Sequence, residues 1–378
     1  MNLIILTLLA VISTSCDEKE QYPDDTMTET LYRMPEESEM HEGTWLQWPH
    51  QYQYGTAYRN SLDATWVEMT KALVTSEKVH IVAYNEAEKN RITHLLSNSG
   101  IPINNVDFKL YKTDDVWVRD NGPIYVRDKS GKLVIEDWGF NGWGNKTDED
   151  SGELIESANC NKIPAKIAAD QGRTLIDLNS TMINEGGSVE VDGHGTLMAC
   201  KSSILNSNRN LGMTQQQAEA IFKKYLGVTH FIWLDGQAGL DLTDQHIDGF
   251  ARFGNASTIV TMEQEDLLDF DVKQSDINTL YAAKNKNGEA FHFVKVPLTQ
   301  HNVKKTDGKD LGYKGSYINY YIANNKVLVP NYNDPNDAVA NQIIQKLYPT
   351  RTVVGIDVRN LYANGGMIHC VTQQQPAD

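Results

Sequence analysis

Val327–Val358, VLVPNYNDPNDAVANQIIQKLYPTRTVVGIDV, is the stretch that decides the fold class. Val327–Tyr332 (VLVPNY) is short, apolar and rich in valine, which predicts a strand. Asp334 and Pro335 then supply an N-cap and a first-turn proline for a helix running to about Leu347. Thr352–Val358 (TVVGIDV) predicts the next strand, and strand–helix–strand is the unit from which α/β proteins are built. Working outward, the same alternation returns near the start of the chain. Val79–Tyr84 (VHIVAY) predicts a strand, Glu86–Leu96 a helix, and Val106–Tyr111 (VDFKLY) another strand. Thr214 with Gln217 has the spacing of a capping box, and Ser275 is placed to cap a further helix. From Thr28 onward no Gly/Ser/Pro-rich linker interrupts the pattern, so a single α/β domain is expected over residues 31–378.

Two segments look like copies. Asn184–Val191 reads NEGGSVEV and Ala363–Cys370 reads ANGGMIHC, each a Gly-Gly pair followed by alternating residues. Either two glycine turns arose by chance, or the fold has internal pseudo-symmetry and equivalent strands present residues to a common centre.

The first residues have their own signature. Leu3–Ile12 is apolar apart from Thr7, and Ser13, Thr14 and Ser15 lead into Cys16. The run is too short to span a bilayer, which takes about 20 residues, but it suits a signal-peptide core. It resembles a bacterial lipoprotein signal in which Cys16 becomes the lipidated terminus. The expectation is a signal peptide over 1–16 and a polar tether over 17–30. The protein would then be periplasmic or at the cell surface, touching membrane only through lipid on Cys16.

The full chain of 378 residues is otherwise ordinary for a globular protein, 40% hydrophobic and 22% charged. Asp and Glu total 50 against 34 Lys and Arg, a formal charge of −16, which argues against nucleic acid as a partner. It is compatible with a cationic ligand, and equally with acidity that only keeps the protein soluble. No C-x-x-C, H-E-x-x-H, G-x-G-x-x-G, Walker A or G-x-S-x-G pattern occurs, so no metal or nucleotide motif presents itself.

Taken singly, the chemically capable residues each have an unremarkable reading. Cys370 sits in an apolar, strand-like segment, where an inert buried cysteine is usual. Its neighbour His369 would point to the opposite face of such a strand and so could not activate it. His246 and Asp248 form an H-x-D pair that shares a face if extended. Asp120, in VWVRDNGP, reads as part of a turn, and Glu185 as a loop cap. As a set they match what a guanidinium reaction needs. A planar cation wants two carboxylates in fork geometry, and its resonance-stabilised carbon calls for a soft thiolate nucleophile. A histidine must then give a proton to departing ammonia and take one from water.

The blocks MPEESEMHEGTWLQWP (34–49), DDVWVRDNGP (114–123), DWGFNGWGNK (137–146), NEGGSVEVDGHGT (184–196), LNSNRN (205–210), HIDGFARF (246–253) and GGMIHCVTQQQP (365–376) resemble the agmatine deiminases. They are similar, a little less closely, to bacterial-type peptidylarginine deiminases. The resemblance implies a pentein-like fold, a five-bladed pseudo-symmetric α/β propeller, with a cofactor-free site at its centre. It also implies Cys370 as nucleophile, His246 as general acid and base, and Asp120 and Asp248 as the guanidinium clamp. Glu185 would orient His246, and Trp117 would wall the substrate's alkyl chain. Met367 stands where the family usually has asparagine, and Asn364 replaces a glycine. Agmatine is the expected substrate, because GFNGWGNK offers no arginine to hold a peptide or carboxylate; Lys146 is its one cation. Arginine in peptides is the alternative, and a lipoprotein that binds cations without turning them over is a second.

Overall fold

The computed structural model describes residues 29–148 and 152–378. The leader with Cys16, and the tether as far as residue 28, lie outside the described residues.

Five small sheets repeat one plan: a first strand antiparallel to a second, and the second parallel to a third across a helical connection. Ile124–Asp128, Leu133–Gly139 and Leu175–Ile183 form one, edged by Tyr32–Arg33. Val189–Val191, Thr196–Cys200 and His230–Leu234 form the next, followed by Arg252–Asn255, Thr258–Thr261 and His292–Lys295. Tyr321–Ala323, Lys326–Asn331 and Thr352–Asp357 form the fourth. The last joins the two ends of the chain: Gln373–Pro376 pairs antiparallel with His41–Gln47, which runs parallel to Lys78–Ala83 and through it to Val106–Leu110. The repetition is that of a five-bladed α/β propeller, and the blade built from both termini closes it.

Each parallel pair needs a crossover, and the helices supply it by covering the outer faces. The helix Gln51–Leu73 buries Leu62, Trp66, Met69 and Leu73 against the strand containing Ile81. Each such side chain contributes about 1.5–3 kcal/mol of burial. The strand Lys78–Ala83 is buried at every position after its first, as a strand covered on both faces requires. Val327–Val358 folds as strand, helix and strand, but the helix Asn336–Leu347 has Pro335, not Asp334, in the cap position; Asp334 Oδ1 still accepts from Asn336 N at 2.9 Å. The Thr214–Gln217 capping box is present. Ser275 is not a cap: the helix begins at Gln274 with Lys273 in the cap position and no side-chain cap bond.

What places the site is a short turn just ahead of the first strand in four of the blades: Val118–Asn121, Gly186–Ser188, Ile247–Gly249 and His369–Val371. These turns pack against one another around the propeller axis. The Gly-Gly likeness is not one of equivalent positions. Gly186 and Gly187 form their turn, whereas Gly365 and Gly366 precede theirs. The structural counterpart of Gly187 is therefore the turn that carries Cys370.

Candidate active site

Each turn delivers one part of the set. Asp120 comes from Val118–Asn121, Glu185 and Gly187 from the second turn, His246 and Asp248 from the third, and Cys370 from His369–Val371. Asp120, His246 and Asp248 meet at Gly187, whose missing side chain is the space they share. A Cβ there would lie 2.7 Å from His246 Nδ1, 2.8 Å from Asp120 Oδ1 and 3.1 Å from Asp248 Oδ2. Asp120, Glu185, His246 and Asp248 are all buried, and Cys370 keeps partial exposure.

Glu185 does not cap its loop. Its Oε2 meets His246 Nε2 at 3.1 Å, and Arg209 Nε donates to its Oε1 at 2.8 Å. Burial opposes a charge on His246, but Asp120 with Nδ1 3.7 Å away, the hydrogen bond to Glu185 and the charge of Asp248 outweigh it. They raise the imidazole to about 9, so at neutral pH it is a proton donor. Burial also pushes Glu185 up, and Arg209 and His246 overcome that to hold it below the ordinary carboxylate range.

The two aspartates are held differently. Asp120 accepts from Gly187 N at 3.1 Å and from Trp143 Nε1 at 2.9 Å, while burial raises its carboxyl. Asp248 is buried as well, yet His369 Nδ1, 2.7 Å from its Oδ2, keeps it below its ordinary range. Among the described residues no protein group donates to Asp248 Oδ1. Burial, then the charges of Asp248 and Asp120, push the Cys370 thiol well above its ordinary value. The site thus sets two carboxylates beside the charged His246, and a thiol that burial and the carboxylates' charge keep protonated. A planar cation seated there would remove that repulsion and favour the thiolate.

The strand-like setting expected for Cys370 is replaced by a 3-10 turn. His369 has both ring nitrogens engaged, by Asp248 on one side and by Glu37 on the other, so neither is free for the thiol. His246 and Asp248 do converge, although Asp248 lies inside a turn rather than an extended run. Trp117 is buried with its ring against Gly366, where any side chain would collide. Cys160 and Cys200 are free and buried, so they do not pair.

Three contributors were not singled out from sequence. Asn319 accepts from His369 N at 2.9 Å and from the Cys370 thiol at 3.4 Å, pinning the turn of Cys370 to the fourth blade. Trp143 reaches Asp120 from a backbone with φ of 54°, between left-handed Gly142 and Gly144. A bulky residue there is strained by roughly 1–3 kcal/mol, and the glycine–tryptophan–glycine pattern in GFNGWGNK was the available signal. Arg209 also binds Asp244 Oδ2 at 2.7 Å, and Lys146 donates to Asp244 Oδ1 at 2.8 Å and to the Asp241 carbonyl at 2.7 Å.

The family model of Porphyromonas-type peptidyl-arginine deiminases matches residues 33–376. The agmatine deiminase of Pseudomonas aeruginosa is 30% identical over 374 residues, covering 94% of this chain and 98% of its own. That of Stutzerimonas stutzeri is 31% identical over 366 residues, covering 92% and 96%. Among solved structures, a cysteine-to-serine variant of C. jejuni agmatine deiminase with substrate bound is similar at a TM-score of 0.76 and 25% identity, covering 92% of this chain and 97% of that one.

Proposed function

Since the chain belongs to the Porphyromonas-type peptidyl-arginine deiminase family, we propose that it is a hydrolase of guanidino C–N bonds that converts agmatine and water to N-carbamoylputrescine and ammonia. The observation that carries this reading is the meeting of Asp120, Asp248 and His246 at Gly187, beside the turn of Cys370.

The guanidinium docks between Asp120 and Asp248, and its positive charge lets the Cys370 thiol lose its proton to solvent. The thiolate attacks the central carbon to form a C–S bond. Protonated His246 delivers its proton to one nitrogen as the C–N bond breaks, and ammonia leaves. The product of this half is a thiouronium on Cys370. Water then attacks the same carbon, neutral His246 takes one water proton, and the C–S bond breaks to release thiolate while the remaining hydroxyl proton passes to solvent, leaving the neutral ureido product. Glu185 keeps the imidazole oriented through both halves, and Arg209 keeps Glu185 charged.

Asp120 and Asp248 hold the same cationic head in agmatine, arginine and arginyl peptides, so discrimination lies at the far end. Lys146 is committed to Asp244 and Asp241, and Arg209 to Glu185 and Asp244. A substrate carboxylate would be buried without a partner, at a cost of several kcal/mol. Ammonia release compared on agmatine, free arginine and an arginyl peptide tests this. We expect kcat/KM for free arginine to fall at least about a hundredfold below agmatine. Citrulline from the peptide, with little N-carbamoylputrescine from agmatine, would instead assign the protein to peptidylarginine.

The same proposal includes export, on the apolar run Leu3–Ile12 before Cys16. Mass spectrometry of the mature protein should find an N-terminus at Cys16 carrying fatty acid; an intact Met1 would refute it.

A further inference from the structure

One clamp carboxylate is wired to the far side of the nucleophile's own turn. Asp248 Oδ2 faces His369 Nδ1 at 2.7 Å, and the other ring nitrogen, Nε2, faces Glu37 Oε2 at 2.8 Å. Glu37 is in turn held by Arg119 Nη2 at 3.3 Å, Arg252 Nη2 at 3.1 Å and Ile322 N at 2.8 Å on its second oxygen. Every member of the chain is less than one-tenth exposed. With a carboxylate oxygen against each ring nitrogen, His369 is held from both sides and has no freedom to turn. Buried ionic chains of this kind are weak sources of net stability. They do fix orientation, because each group has one low-energy position.

We propose that His369, anchored by Glu37, is a positioning residue that locks the Asp248 carboxylate with Oδ2 occupied and Oδ1 presented to the guanidinium. His369 adjoins Cys370, so one turn sets both the attacking sulfur and the carboxylate that aims its target. The inference rests on the deiminase reading and adds a residue that touches neither substrate nor reacting atoms.

Two amides separate the ring's two contacts. The asparagine amide nitrogen overlays Nδ1 and keeps a donor for Asp248, whereas that of glutamine overlays Nε2 and keeps only the Glu37 side. Agmatine affinity is measured by calorimetry in a Cys370→Ala background, and kcat and KM in the active background. His369→Gln should weaken binding and raise KM roughly ten- to a hundredfold, the range of one hydrogen bond to a charged group. His369→Asn should retain most of the affinity. Adding His369→Gln to Asp248→Asn should cost nothing beyond Asp248→Asn alone, since neighbours acting through one another do not add. Equal losses in both amides, unchanged binding in His369→Gln, or multiplied losses in the double variant would overturn the proposal. If His369→Gln does not fold, Glu37→Gln enters the same cycle, because it keeps an acceptor for the arginines but weakens the hold on Nε2. A wild type inert on agmatine and arginyl peptides would fail the deiminase reading itself. An active wild type with an unaffected His369→Gln would fail this inference alone.

Discussion

Gly187→Ala is the sharpest test of the site, because the change adds one methyl group and nothing else. Gly187 is not among the positive-φ residues, so alanine brings no backbone strain. The added Cβ would stand 2.7 Å from His246 Nδ1 and 2.8 Å from Asp120 Oδ1, with Asp248 Oδ2 at 3.1 Å. Ordinary contacts begin near 3.5 Å, so the imidazole and both carboxylates must retreat by roughly half an ångström or more. None is the loose end of a flexible chain: His246 is tied to Glu185, Asp120 to Trp143, and Asp248 to His369. Overpacking of this sort costs about 1–3 kcal/mol of stability, which should lower the melting temperature by a few degrees and leave a folded protein. Catalysis should suffer more, since a displacement of about 1 Å at reacting groups costs on the order of a hundredfold. Initial rates of ammonia release on agmatine should show kcat/KM down about thirty- to a hundredfold, equivalent to about 2–3 kcal/mol. A folded Gly187→Ala protein within about threefold of wild type would mean that these side chains do not converge where turnover happens.

Other changes separate the roles. Glu185→Gln keeps the shape but removes a charge that helps raise His246 to about 9, so the alkaline limb of the rate profile should move to lower pH; an unmoved limb would leave Glu185 a structural part. The same shift makes a stability prediction: folded His246 is raised above its ordinary 6.5, so its ionisation stabilises fully below that value and the contribution fades as pH rises through about 9. Chemical unfolding followed across that window should show a smaller decline in Glu185→Gln. Cys370→Ala should abolish turnover in a folded protein. A haloacetamidine, whose cationic amidine can seat between Asp120 and Asp248, should label partly exposed Cys370 ahead of buried Cys160 and Cys200; equal labelling of all three would count against the nucleophile. Trp143→Phe deletes the indole donor to Asp120, so KM should rise roughly tenfold or more with kcat less affected; an unchanged KM would show that Asp120 needs no such support.

The candidate site residues were picked out through the resemblance of whole sequence blocks, since each taken singly had an unremarkable reading. The structure brings Asp120, Glu185, His246, Asp248 and Cys370 onto neighbouring turns. The α/β alternation was legible, since valine-rich strands and capped helices follow local rules. What holds the site was not. Asn319 sits in an ordinary polar-aromatic stretch, and Glu37 meets His369 from the opposite end of the chain. Such pairings are made by the propeller's closure, and no local pattern encodes them. Cys370 also shows where periodicity misleads. Apolar residues around it suggested a strand, but they are buried because turns from several blades enclose them, and the segment is helical for one turn. Ser275 failed for a simpler reason: a serine near a helix start caps only if it precedes the first turn, and here it lies inside it.

The pairing of Gln373–Pro376 with His41–Gln47 has a consequence for how the enzyme comes into being. During synthesis the sheet of His41–Gln47, Lys78–Ala83 and Val106–Leu110 waits, with an unpaired edge, until Gln373–Pro376 has left the ribosome. Cys370 sits just ahead of that final strand, so the nucleophile is emplaced only by the event that completes the ring. On the proposed mechanism, a chain lacking Cys370 and the strand Gln373–Pro376 would carry the other reactive groups without a working site. The contact spans almost the whole chain, and contacts of such long sequence separation form slowly. Because the two ends meet in one sheet, joining them and opening the ring at an exposed loop between other blades would keep the same architecture while changing which blade closes last.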